Sequence, residues 1–87
     1  MTCEQFNKKW EKYLEEGHSG VSINNEEVLE YLDNIFPTLS ENVNFKYSQI
    51  KIKYGTCRFY CAGIDFDVIK DIEIEINKIL TKFLLNL

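Results

Sequence analysis

The stretch FKYSQIKIKYGTCRFYCAG, Phe45 to Gly63, decides the fold. Its apolar residues alternate: Ile50 and Ile52, then Cys57, Phe59 and Cys61. Period two over this length is the signature of strands that each bury one face. Gly55 sits in the middle and punctuates the run. A two-residue turn at Tyr54–Gly55 pairs Ile52 with Cys57 and Ile50 with Phe59, so every apolar residue shares one face. A three-residue loop pairs Ile52 with Thr56 instead and mixes the faces. A slip of one residue flips a strand's side chains, so the pattern selects an even-length turn. Tyr54 is a poor residue at positive φ, which leaves a four-residue loop of the same parity open as well.

The same alternation turns Tyr47, Gln49, Lys51 and Lys53 to the opposite face of the first strand. It turns Thr56, Arg58 and Tyr60 to that face of the second. Lys46 has the other parity. The stretch carries Lys46, Lys51, Lys53 and Arg58 and no acid, in a chain with 14 acids and a net charge of −4. Lys51 and Arg58 face each other in this register, a pairing that costs a few tenths of a kcal/mol. A chain shaped only by folding places an acid there more easily. The bland reading is a solvated face whose lysines discourage mispairing. The functional reading is a binding face made of Tyr47, Gln49, Lys51, Lys53, Arg58 and Tyr60, meeting something negative or stacking on it.

Upstream, Thr2 and Gln5 form a capping box. Phe6, Trp10, Tyr13 and Leu14 then make one helical stripe that Gly17 stops. The segment VSI, 21–23, is too short for a periodicity to assign, and a brief edge strand stays open. Asn24 and Glu27 repeat the capping pattern ahead of Val28, Leu29, Leu32, Ile35 and Phe36, with Pro37 ending the second helix. Downstream, Asp65 caps a third helix whose stripe is Ile69, Ile72, Ile76, Ile79, Leu80, Phe83 and Leu87. IEIEI inside it alternates, but a stripe close to twenty residues long reads as helix. The order is α-α-β-β-α: a single α+β domain over 1–87, two layers, with an antiparallel β-hairpin covered on one face by helices. A lone hairpin needs such a cover. Ile74, Leu85 and the segment KFLLNL do not fit one stripe, and core packing or a homo-oligomer contact accounts for them.

With 87 residues the chain has room for one core. Three cysteines are an odd, low count that argues for a reducing compartment over a disulfide framework. On one strand Cys57 and Cys61 stand about 13 Å apart, against the roughly 7 Å between Cα atoms that a disulfide tolerates. MTCEQFNKKW lacks the apolar core of a signal peptide, and no apolar run spans a bilayer. The expected location is the cytoplasm. Net acidity leaves no whole-molecule basic field for duplex DNA.

No reaction can be assembled from the sequence. His18 is the single histidine and lies in a loop between glycines. Four convergent zinc ligands are not found, and buried structural thiols explain Cys57 and Cys61 better than a nucleophile does. Asp65 and Asp67 suit a helix N-terminus for ordinary dipole reasons. The four glycines are scattered and form no phosphate loop. The expectation is a protein without enzyme activity, cofactor or metal.

FKYSQIKIKYGTCRFYCAG, preceded by NEEVLEYLDNIF and followed by an amphipathic helix, resembles small uncharacterised proteins encoded by phages and mobile elements. Compact acidic proteins of that setting are often inhibitors of host defence, including anti-CRISPR proteins. The resemblance carries over no functional residue. It implies a setting, a phage or mobile element in a host cytoplasm, and no mechanism. The leading expectation for that setting is a viral, non-catalytic binding protein that occludes a host protein, a nucleic-acid-binding defence component. The acids of the first two helices, Glu4, Glu11, Glu15, Glu16, Glu26, Glu27, Glu30 and Asp33, are then candidates to oppose a positively charged channel. Two alternatives belong to other classes. One is nucleotide or anion binding on the basic-aromatic hairpin face. The other is a homo-oligomeric structural protein joined through the last helix.

Overall fold

A computed structural model describes the backbone of residues 1–85 and side chains through Lys82. The elements are α1 (Cys3–Lys9), a 3₁₀ turn (Glu11–Tyr13), β1 (Gly20–Val21), α2 (Glu26–Leu39), β2 (Lys46–Lys53), β3 (Thr56–Ala62) and α3 (Phe66–Leu85). The α+β class is the expected one: helices cover one face of a sheet. The sheet has three strands in the order β1-β2-β3, with β1 parallel to β2 and β3 antiparallel to it. A brief edge strand does form, but at Gly20–Val21, overlapping the 21–23 candidate only at Val21.

The hairpin register is the one the alternation selects. Ile52 faces Cys57, Lys51 faces Arg58 and Ile50 faces Phe59. Tyr54 and Gly55 both sit at positive φ, 54° and 76°, which makes the two-residue turn whose twist suits a hairpin. Tyrosine in that conformation stores local strain, which the paired strands hold in place.

Farther from the turn the ladder slips. A β-bulge lies between Tyr47 and Gln49, and Ser48 is the extra residue. Its Oγ donates to the Tyr60 carbonyl at 3.1 Å. The bulge reverses the parity of everything before it. Tyr47 therefore turns inward beside Ile50 and is 0% exposed, not on the outer face where unbroken alternation puts it. Lys46, opposite Ala62, moves the other way and joins the outer face. Ile52 keeps its inward parity, but close to the turn it is 41% exposed.

Three helix boundaries differ from the sequence reading. α1 ends at Lys9, short of Gly17. The chain beyond it is claimed by the sheet: Leu14 bridges Tyr47 in parallel, and the Glu15 N–H donates to the Tyr47 carbonyl at 2.8 Å. A strand partner displaces the last helical turns. The cap of α2 is Asn25, one residue later than Asn24, with its Oδ1 accepting from the Val28 N–H at 3.0 Å. Pro37 lies inside α2, which continues to Leu39. Proline costs that last turn one hydrogen bond. Leu39 is buried there, and the Ser40 N–H bonds back to the Phe36 carbonyl at 2.8 Å, which together hold the turn.

The core is centred on Phe36, whose ring meets those of Phe6, Trp10, Phe45, Tyr47 and Phe59 at centroid distances of 4.9 to 6.4 Å. Val28, Leu29 and Leu32 of α2, Ile50 of β2 and Ile72 and Ile76 of α3 extend it. Of the candidate oligomer contact, Ile74 is 50% exposed, and 83–87 of the KFLLNL segment lie outside the described side chains. Among the described residues, no helix is long and apolar enough to cross a membrane.

Candidate functional site

Both edges of the sheet are closed by helix side chains. On the β1 edge, the Asn7 amide lies along Val21 as a strand would. Its Nδ2 donates to the Val21 carbonyl at 3.1 Å, and its Oδ1 accepts from the Val21 N–H at 2.9 Å. Gly20 makes room for this, since a Cβ there collides with the Asn7 amide. On the β3 edge, α3 runs antiparallel to the strand. Asn77 Oδ1 accepts from the Cys57 N–H at 2.8 Å and Glu73 Oε2 from the Phe59 N–H at 2.9 Å. The match is geometric: four residues of helix advance about 6 Å and two residues of strand about 6.8 Å. These caps block addition of a further strand at Val21 and along Cys57 to Phe59. No helix covers the outer face of the sheet at Lys53, Arg58 and Tyr60, which are exposed.

Lys53, Arg58 and Tyr60 are exposed on that face, and Gln49 and Lys51 are half-buried. Lys51 Nζ stands 5.8 Å from the Tyr60 ring centre, and Lys53 Nζ 5.7 Å from that of Tyr54. Four ion pairs occur among the described residues, through Lys9, Lys70, Lys78 and Lys82, so Lys51, Lys53 and Arg58 take part in none. Lys46, brought to this side by the bulge, has its Nζ anchored on the Lys12 carbonyl at 3.0 Å. Of the six expected binding residues, five share the face. Tyr47 is the exception: it is a core residue, its hydroxyl donating to Asn7 Oδ1 at 3.0 Å.

Around the β3 edge the face continues into an open groove of about 370 Å³ between the strand and the start of α3. Ser48, Arg58, Tyr60, Phe66, Lys70 and Glu73 line it. Phe66 is 69% exposed, and Lys70 Nζ lies 5.4 Å from its ring centre. Phe66 and Lys70 stand at i and i+4 on α3. The sequence marks that pair, but nothing in the sequence places α3 beside β3.

The eight acids separate into two groups. Asp33 is committed to structure: it pairs with Lys9 at 2.9 Å and accepts from the Trp10 Nε1–H at 2.9 Å. Burial disfavours its charge, but the hydrogen bonds from Lys9 and Trp10 outweigh that and hold its carboxyl below the usual range. Glu27 pairs with Lys82 at 2.8 Å, tying α2 to α3. Glu4, Glu11, Glu15, Glu16, Glu26 and Glu30 are exposed, and none is in an ion pair among the described residues.

The thiols are placed for packing. Burial, with the Glu73 carboxylate adding to it, pushes Cys57 up to about 12 and Cys61 up to about 11. Neither supplies thiolate near neutrality. Among the described residues, no group of three or more His, Cys, Asp and Glu converges as a metal site. One consequence is measurable. A raised folded-state value stabilises the fold fully below the ordinary thiol value of 9.0, and the contribution is lost as pH rises toward the folded value. Urea melts are expected to show Cys57 contributing about 2 kcal/mol less at pH 10.5 than at pH 8. A Cys57→Val variant should lose about that much of the alkaline slope. An unchanged slope in the variant refutes the assignment.

No family model, curated protein or solved structure matches this chain.

Proposed function

We propose that this chain is a non-catalytic binding protein that seats the outer face of its sheet on an anionic partner surface and acts by occlusion, in the manner of phage-type inhibitors of bacterial defence. The observation that carries this reading is the set of three cations, Lys51, Lys53 and Arg58, in no ion pair among the described residues of a chain with 14 acids. Lys51 and Arg58 stand opposite each other in the ladder, where an acid is the easier choice for folding. An anionic partner relieves that repulsion on binding. Tyr54 and Tyr60 beside them supply rigid contact area of the kind enriched at interfaces.

The test is capture from bacterial lysate on immobilised protein, wild type against Lys51→Glu/Arg58→Glu. The wild type is expected to retain a partner that the variant loses, and that elutes as salt rises. Thermal melts of both proteins check that the substitutions leave the fold intact. A partner retained equally by both proteins overturns the outer-face reading.

A second reading rests on the six exposed acids in no ion pair, which offer a negative surface to a cationic nucleic-acid channel. It is favoured if Glu26→Gln/Glu30→Gln loses the partner and the basic-face variant keeps it.

A further inference from the structure

We infer that the groove between β3 and α3 binds single-stranded nucleic acid, with bases stacking on Tyr60 and Phe66 and phosphates met by Arg58, Lys70 and the neighbouring Lys51. This inference rests on the outer-face reading and names the chemistry of its anionic partner. Phe66 at 69% exposure and Tyr60 at 43% line the same groove. Their faces are sequence-tolerant platforms on which bases stack.

The cations alternate with the rings. Lys51 lies against Tyr60, Lys70 against Phe66, and Arg58 lines the groove with both rings. Three positive groups beside two rings match a repeating base-phosphate chain. They continue past the groove to Lys53 on the outer face, where a mononucleotide has no further phosphate to offer. Glu73 is the opposing charge in the groove. It is engaged: Oε2 accepts from the Phe59 N–H at 2.9 Å, and Oε1 stands 4.0 Å from Lys70 Nζ. The volume also argues for a single strand. The groove is about 370 Å³, near the small end of pockets that hold one drug-sized group, and too small for a duplex.

The experiment is fluorescence anisotropy with an end-labelled ten-nucleotide poly-U or poly-dT at low salt, with duplex DNA and AMP as competitors. Single strand is expected to bind and to weaken with a log–log salt slope of about −2 to −3, the value for three to four phosphates. Phe66→Ala and Tyr60→Ala should each weaken binding roughly 5- to 150-fold. Tyr60→Phe and Phe66→Trp should retain it, which separates stacking from a fold defect. Binding unaffected by Phe66→Ala overturns the inference, and so does duplex or AMP competing as well as the single strand. Absence of single-strand binding, with a captured protein partner still lost in Lys51→Glu/Arg58→Glu, removes the nucleic acid and leaves the outer-face reading standing. Loss of both results removes the two together.

Discussion

Phe36→Ala is expected to remove about 4 kcal/mol of stability, the middle of the range for truncating a buried phenylalanine. Phe36 is 0% exposed and its ring is the hub of five aromatic contacts drawn from α1, the turn after it, β2, β3 and the loop before β2. The contact with Phe45 is edge-to-face at 90° and that with Phe6 is nearly so at 73°, arrangements that add to burial alone. The surrounding rings belong to separate elements and cannot all close on the void. A domain of this length has a total stability on the order of 4–13 kcal/mol. The variant is therefore expected to lose between about a third and nearly all of that stability, read by circular dichroism and urea titration. Phe36→Leu should cost a third as much or less. A loss under about 1.5 kcal/mol for the alanine variant means the hub does not organise the core as described.

Asn7→Ala is expected to cost about 3 kcal/mol, far more than a half-buried surface amide usually does. One side chain serves three partners: the Val21 N–H, the Val21 carbonyl and the Tyr47 hydroxyl. Val21 and Tyr47 are buried, so alanine leaves their polar groups without a partner. Tyr47→Phe removes one bond and should cost about 1 kcal/mol. Because the two residues share a bond, their double variant should fall short of additivity. Gly20→Ala gives an independent check. Its Cβ meets the Asn7 amide, so its cost should fall when residue 7 is already alanine, leaving mainly the penalty of a φ of 74°. Strict additivity of Gly20→Ala with Asn7→Ala would contradict this edge cap.

The hairpin was legible because its information is local. Ile50, Ile52, Cys57 and Phe59 fix parity, and parity fixes both the turn at Tyr54–Gly55 and the outward set Gln49, Lys51, Lys53, Arg58 and Tyr60. The stripe of α2 and that of α3 through Leu80 are equally local. Tyr47 departs from that parity because the ladder is broken beside it. A bulge at Ser48 leaves no mark in side-chain type, and one added residue exchanges the roles of Lys46 and Tyr47. The end of α1 was misplaced for a related reason. Leu14 continues a helical stripe, yet it finds a better partner in Tyr47, thirty-three residues along the chain.

From the residue order alone came the class of fold, the turn, the register of the hairpin and a cationic strip in an acidic chain, all set by periodicities of two and 3.6 within single segments. Tertiary structure decided the rest: the parallel edge strand, the inward turn of Tyr47, the closing of the edges by Asn7, Glu73 and Asn77, and the meeting of Phe66 and Lys70 with Arg58 and Tyr60. Those features depend on which distant segments compete for the same backbone hydrogen bonds. That competition is resolved only when the segments are packed together.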